Sequence, residues 1–161
     1  MSDELNTQKM LVSKIPNGTV IDKIPGGKSL QILKILGIKD EVENTIAVAI
    51  RVNSKSMKTK DIIKLKDRNL SIEELKKIWL IAPQSKISII NNYKVNEQFT
   101  LSDKHFSNEF EGVLQCNNPT CATNMNEPVV RQFYLMQRDP ILVRCLYCDR
   151  VMLENNIRDQ L

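Results

Sequence analysis

The chain has 161 residues, a formal net charge of +4 and 42% apolar residues. That length accommodates one ordinary domain or two small ones, and the apolar share excludes a disordered chain. Residues Met1 to Asn6 have neither the basic start nor the apolar core of a signal peptide, and no apolar run approaches a membrane span. A cytoplasmic protein without a membrane partner is expected, in a compartment where thiols stay reduced.

Residues 1–10 are polar, and Leu11 to Ile15 has the composition to begin a strand. Gly18 to Asp22 reads as a turn leading into a strand, and Ile24-Pro25-Gly26-Gly27 as a loop. Lys28 to Leu36 predicts a helix with Leu30, Ile32, Leu33, Ile35 and Leu36 on its apolar face and Gly37 as its stop. Thr45 to Val52 alternates Ile46, Val48, Ile50 and Val52 with Ala47, Ala49 and Arg51, a strand whose alanine face is also partly covered. After a polar loop, Lys60 to Lys66 alternates again, with Ile63 and Leu65 on one face and Lys60, Ile62, Lys64 and Lys66 on the other.

Ser71 and Glu74 form a capping box at the start of a second helix, whose buried stripe is Ile72, Leu75, Ile78 and Trp79 and whose end is Pro83. Lys86 to Ile90, a turn at Asn91-Asn92 and Tyr93 to Val95 read as a hairpin. Residues 1–100 therefore predict a ferredoxin-like antiparallel sheet with two helices on one face, and leave the other face or an edge free to bind. Asn96 to Phe110 reads as a linker containing His105, the one histidine, exposed and without a catalytic partner. Residues 101–161 predict a small all-β domain, with a strand from Val129 to Met136, a turn at Asp139-Pro140 and strands at Ile141–Arg144 and Val151–Leu153. The fold class is α+β.

All four cysteines lie in that second part. Cys116 and Cys121 enclose four residues, Cys145 and Cys148 enclose two, and twenty-three separate the pairs. Two such knuckles face to face supply four thiolates in a tetrahedron, a closed structural site for one Zn²⁺ per chain that holds a thin core together. Two disulfides or four unconnected buried thiols are the other readings of this spacing; with no secretion signal the metal is favoured.

Charge is divided unevenly. Residues 1–100 hold 17 basic and 11 acidic side chains, and residues 101–161 hold 6 and 8. Lys60 and Lys64 share a strand face about 13 Å apart, within reach of one polyanion of nucleotide size. Asp22 offers a hydroxyl acceptor beside the cation Lys23. The same lysines also read simply as a solvated strand face. No P-loop, dinucleotide glycine motif or nucleophile elbow occurs.

Taken together, Gly18-Thr19-Val20-Ile21-Asp22-Lys23-Ile24-Pro25, Lys60-Asp61-Ile62-Ile63-Lys64, Ala82-Pro83-Gln84, Asn91-Asn92-Tyr93 and the Cys-x4-Cys…Cys-x-Tyr-Cys pattern closely resemble the regulatory chain of aspartate carbamoyltransferase. The resemblance runs from about Val12 to Val151. It implies a non-catalytic partner of separate catalytic chains, which carry the committed step of pyrimidine synthesis. It implies an N-terminal domain that pairs with itself and binds CTP, UTP and ATP, and a zinc domain that docks on the catalytic chains. Carried over by position, Val12, Ser13, Lys14 and Ile15 would line the base pocket, bordered by Val20. Asp22 would take the ribose hydroxyls, and Lys64 would reach ribose and base. Lys23 and Lys60 would face the phosphates, and Ile90, Tyr93 and Val95 would close the apolar side.

The pattern departs from the family at three positions of that site. Lys23 stands for a histidine, Ser88 for an asparagine and Gln98 for a lysine, with Lys94 taken to share the strand face of Gln98. In the first knuckle, Asn118 matches a residue expected at the catalytic chain, whereas Thr120 replaces a second asparagine; Asp149 keeps an acid after Cys148.

The alternative reading is a zinc-ribbon nucleic-acid-binding factor, with Tyr147 for stacking and Arg144 and Arg150 beside the second knuckle. The acidic balance of residues 101–161 opposes it. A zinc enzyme is disfavoured, because four thiolates leave no open coordination position.

Overall fold

Alternation of apolar and polar residues, interrupted at a few bulges, builds the first unit as β1 (Gly18–Pro25), α1 (Ser29–Ile35), β2 (Ile46–Asn53), β3 (Thr59–Lys66), α2 (Ile72–Ile81), β4 (Lys86–Asn91) and β5 (Lys94–Thr100). The computed structural model describes residues 14–38, 45–102 and 106–160. The chain divides into two units, Met1–Leu101 and Ser102–Leu161. The expected strand at Leu11–Val12-Ser13 and His105 lie outside the described residues, and Lys14 and Ile15 are not strand.

The sheet order is β2-β3-β1-β4-β5, antiparallel throughout. With β3 between β1 and β2, this is the ferredoxin-like arrangement, extended at one edge by β5. One face supplies the core: Ile21, Ile63, Leu65 and Ile87 are buried with Ile32 and Leu36 of the α1 segment and with Ile78 and Trp79 of α2.

Both helices end as their sequences require. The Ser71 side chain accepts from the Glu74 N–H and the Glu74 carboxylate accepts from the Ser71 N–H, a complete capping box. Beyond α1, Gly37 takes φ +66°, its N–H reaches the Lys34 carbonyl, and the Ile38 N–H reaches the Leu33 carbonyl. This is the Schellman stop, which needs the left-handed conformation that glycine adopts without strain. The apolar faces are narrower than expected. Leu30 is 63% and Ile72 67% exposed, because each sits in the first turn of its helix, off the buried stripe.

Three strand expectations are corrected. First, β2 is an edge strand whose alternating face is open to solvent: Val48 and Ile50 are 37% and 46% exposed. A bulge between Ala49 and Val52 breaks its alternation, with Arg51 at φ +55°. Second, the hairpin turn is Asn92-Tyr93, both at positive φ, which lets β5 run on to Thr100 through part of the expected linker. Third, β1 continues through Pro25 and carries its own bulge at Asp22-Lys23, with Lys23 at φ +56°.

The two bulges flank Asp61 of β3, and the reason is electrostatic. Asp61 is fully buried on the helix-facing side of the sheet. Its Oδ2 accepts from the N–H groups of Gly27 (2.9 Å) and Ser29 (3.0 Å), and its Oδ1 from the Arg51 N–H (2.8 Å). It thus caps α1 from a distant strand and fixes the β2 bulge. Burial pushes its pKa up, but the Ser29 side chain and the N–H groups of Arg51, Ser29 and Gly27 together hold it below the usual carboxylate value.

The second unit contains β6 (Glu109–Glu111), β7 (Gln132–Arg138), β8 (Ile141–Cys145) and β9 (Val151–Leu153) in that sheet order. Phe110 and Phe133 stack with ring centroids 5.9 Å apart, over a core that includes Leu114, Leu135, Val143 and Met152. The strand expected at Val129–Met136 begins only at Gln132. The unit is not purely β: a 3-10 turn spans Ala122–Asn124, and a short helix, α3 (Glu154–Arg158), follows β9 and buries Ile157. Among the described residues, no helix is long and apolar enough to cross a membrane.

Replacing Asp61 by Asn should lower the stability of the first unit by roughly 2–4 kcal/mol, because an amide faces at least one N–H with another N–H. The folded pKa of Asp61 lies below the unfolded value. Its contribution is therefore full above about pH 4 and is lost as pH falls through the folded pKa. Urea melts of wild type and Asp61→Asn, compared at neutral pH and below pH 4, should show the gap closing on acidification.

Candidate functional site

Four sulfurs converge in the second unit. The Sγ atoms of Cys116, Cys121, Cys145 and Cys148 all lie within 4.8 Å of one another. Cys116 and Cys148 are 3.6 Å apart, and Cys121 and Cys145 3.7 Å apart. A disulfide needs about 2.05 Å, so these are not disulfides. Four sulfurs bound to one zinc at about 2.3 Å would stand about 3.8 Å apart in a tetrahedron, close to the 3.6 and 3.7 Å of these two pairs.

The peptide chain shapes both knuckles. Asn118 N–H points at Cys116 Sγ (3.4 Å) and Thr123 Oγ1–H at Cys121 Sγ (3.2 Å). Asn124 Nδ2 donates to the carbonyls of Cys116 (2.6 Å) and Asn118 (2.7 Å), which closes the first loop. The Asn118 carbonyl oxygen of the side chain accepts from Thr120 N–H and Oγ1–H, at 3.2 and 3.0 Å. Asn124 and Thr123 carry no spacing signal and were not legible in sequence. In the second knuckle, Cys145 N–H bonds the Arg150 carbonyl and Asp149 N–H the Cys145 carbonyl.

Thiol acidities vary across the cluster. Burial pushes Cys116 up to about 12 and raises Cys145 as well. For Cys148 burial also works upward, but hydrogen bonds from the Arg150 N–H, the Asn118 side chain and the neighbouring thiols bring it down to about 7. A metal cation replaces thiol protons in such a site, and all four positions are then occupied by sulfur.

A second site lies on the first unit, on the sheet face away from the helices. A cleft of about 240 Å³ is lined by Lys14, Ile15, Val20, Lys64, Ser88, Ile90, Tyr93 and Val95. Strand register explains the gathering. Val20 of β1 pairs with Lys64 of β3 and with Ser88 of β4, while Ile90 pairs with Val95 of β5. Burial lowers the pKa of Lys64.

The cleft brings together seven of the residues singled out in sequence: Lys14, Ile15, Val20, Lys64, Ile90, Tyr93 and Val95. Asp22, Lys23 and Lys60 do not line it. They cluster at the β1 bulge, where Lys60 Nζ meets the Asp22 carboxylate at 2.8 Å and the Lys23 N–H donates to Asp22 Oδ1 at 2.6 Å. Val12 and Ser13 lie outside the described residues. Two further departures from expectation concern β4 and β5. Gln98 Nε2 donates to Ser88 Oγ at 2.7 Å, so the two neutral replacements bind each other. Lys94 does not share the face of Gln98: the extra residue Asn96 shifts the register, and Lys94 pairs with Asn91.

Comparison with known proteins covers both units. Residues 10–102 match the family model described as aspartate carbamoyltransferase regulatory chain, allosteric domain, and residues 108–158 match the metal binding domain of the same chain. Proteins named aspartate carbamoyltransferase regulatory chain are similar along almost their whole length. The one from Thermoplasma volcanium is 42% identical over 95% of this chain and 99% of its own. Those from Pyrococcus horikoshii and Methanosphaerula palustris are 43% and 44% identical, each over 92% of this chain and over 96% and 92% of their own.

Reconstitution with cobalt(II) should give the charge-transfer and d–d absorption of a tetrahedral tetrathiolate with one ion per chain, and Cys121→Ser should abolish it. Affinity should rise with pH, since the thiols must release protons to bind. Stripping the metal should melt the second unit and leave the first folded, as read by amide exchange.

Proposed function

The chain belongs to the aspartate carbamoyltransferase regulatory chain family and is non-catalytic, and from this premise we propose that it is a nucleotide-responsive subunit operating in the cytoplasm. CTP, UTP and ATP bind the cleft of the first unit. The observation that carries this reading is the cleft itself, where segments remote in sequence present Ile90, Tyr93 and Val95 beside Lys64 and Lys14. Tyr93 and Val95 are exposed apolar surface against which a base can pack. Lys64 supplies a partly desolvated cation for ribose or phosphate oxygens. In this reading Asp22, whose carboxylate meets Lys60 at 2.8 Å, accepts the ribose hydroxyls, and Lys23 and Lys60 take the phosphates.

The metal is Zn²⁺, one structural ion in the four-cysteine cluster, and it holds the surface that docks on the catalytic chains. The exposed residues Leu146, Tyr147, Val151 and Leu153 around the second knuckle are candidates for that contact. Nucleic acid is disfavoured as a partner, since Arg144 lies over the Tyr134 ring at 5.8 Å and within 3.4 Å of Asp149. Self-association uses the β2 edge, where Val48 and Ile50 lie exposed beside strand backbone that has no partner strand among the described residues.

Control then follows from linkage. A nucleotide shifts the assembled enzyme only by binding its quaternary states with different free energies, and coupling of this kind is typically about 1–3 kcal/mol. Binding in the cleft biases the first unit and its self-association edge; the metal domain carries the bias to the catalytic chains.

Calorimetric titration of the metal-loaded chain with CTP and ATP should show saturable binding, weakened at least tenfold by Lys64→Ala. Binding untouched by that substitution would remove the cleft as the site. Ile50→Lys should convert the free chain to a monomer in sedimentation equilibrium without changing its circular dichroism.

A further inference from the structure

The sheet face that carries the cleft changes character along its strands. At one end Ile90 and Val95 form an apolar pair, with Ile15 and Tyr93 beside them. The next row runs Lys64, Val20, Ser88 and Gln98 across β3, β1, β4 and β5. On the β4–β5 side this row is neutral, because Gln98 Nε2 is bound to Ser88 Oγ at 2.7 Å. One row further, Asp22 pairs with Lys86, and Lys86 with Thr100.

Lys86 has the same parity on β4 as Ser88 and Ile90, so it faces the same side. It is half-buried, and among the described residues its ammonium has no hydrogen bond or ion pair. The carboxylate opposite it already holds Lys60 at 2.8 Å. Rows of this face are about 7 Å apart, which sets Lys86 about 13 Å from Ile90. A nucleoside with an extended polyphosphate chain bridges that span; a nucleoside alone does not.

We propose that Lys86 is the outer-phosphate contact of this cleft, taking the end of a nucleoside polyphosphate whose base packs against Tyr93 and Val95. The proposal rests on the nucleotide reading above and adds to it the residue that recognises the anionic end. With Gln98 neutral and Lys94 turned to the other face, Lys86 is the β4–β5 cation on the ligand side. A charge-assisted bond from an ammonium to a phosphate oxygen is strong and salt-sensitive.

The test is calorimetric titration of the metal-loaded full chain with CTP and with CMP, for wild type, Lys86→Gln and Lys86→Arg. Lys86→Gln should weaken CTP about tenfold, change CMP less than threefold and flatten the salt dependence of CTP binding; Lys86→Arg should restore CTP to within about threefold. Unchanged CTP affinity in Lys86→Gln, with Lys64→Ala still damaging, would overturn the assignment and leave the nucleotide site standing. Equal losses for CTP and CMP would overturn it too, since the effect would not lie at the outer phosphates. A wild-type chain that binds neither nucleotide would remove the site and the assignment together.

Discussion

A single buried carboxylate organises the first unit. Asp61 is held by backbone N–H groups from three places: the loop after β1, the start of α1 and the bulge of β2. An ionised group out of water is tolerated only when its lone pairs are filled, so these segments are bound to one geometry. The consequence appears on the opposite side of β3. Residues alternate along that strand, and fixing Asp61 inward fixes Lys60 and Lys64 outward, toward Asp22 and the cleft.

The second unit is constrained by different chemistry. Its core is thin, and its two knuckles are short loops that enclose four and two residues. Four sulfurs brought to within 4.8 Å replace what a larger core would supply. The side-chain amide of Asn124 does for the first knuckle what Asp61 does for α1, tying loop carbonyls that have no strand partner. One unit is held by an anion that gathers N–H groups, the other by sulfur that gathers a cation.

Bulges decide how the cleft face of the first sheet is composed. At Asp22-Lys23 the extra residue turns a strand end into a cluster of carboxylate and ammonium groups. At Asn96 it moves Lys94 off the face of Gln98 and leaves Ser88 and Gln98 to satisfy each other. Each insertion of one residue reverses the side chains beyond it, so a binding face is built as much by irregularity as by alternation.

Much of this was legible in the sequence. The cysteine spacing announced a tetrathiolate cluster, the Ser71–Glu74 pair announced its helix start, Gly37 announced its helix end, and the joint motifs announced the family. These signals are local, or are tied to residue types with narrow chemistry, and they survive any detail of packing. What the sequence did not carry were relations between strands distant along the chain. Asp61 read as one residue of an alternating run, β2 as a covered strand, Leu30 and Ile72 as core, and Lys86 as a strand's first residue. Period-two alternation says which residues share a face. Only the tertiary register says which side chains meet across it, which carboxylate is buried, and which lysine stands beside the cleft without a partner among the described residues.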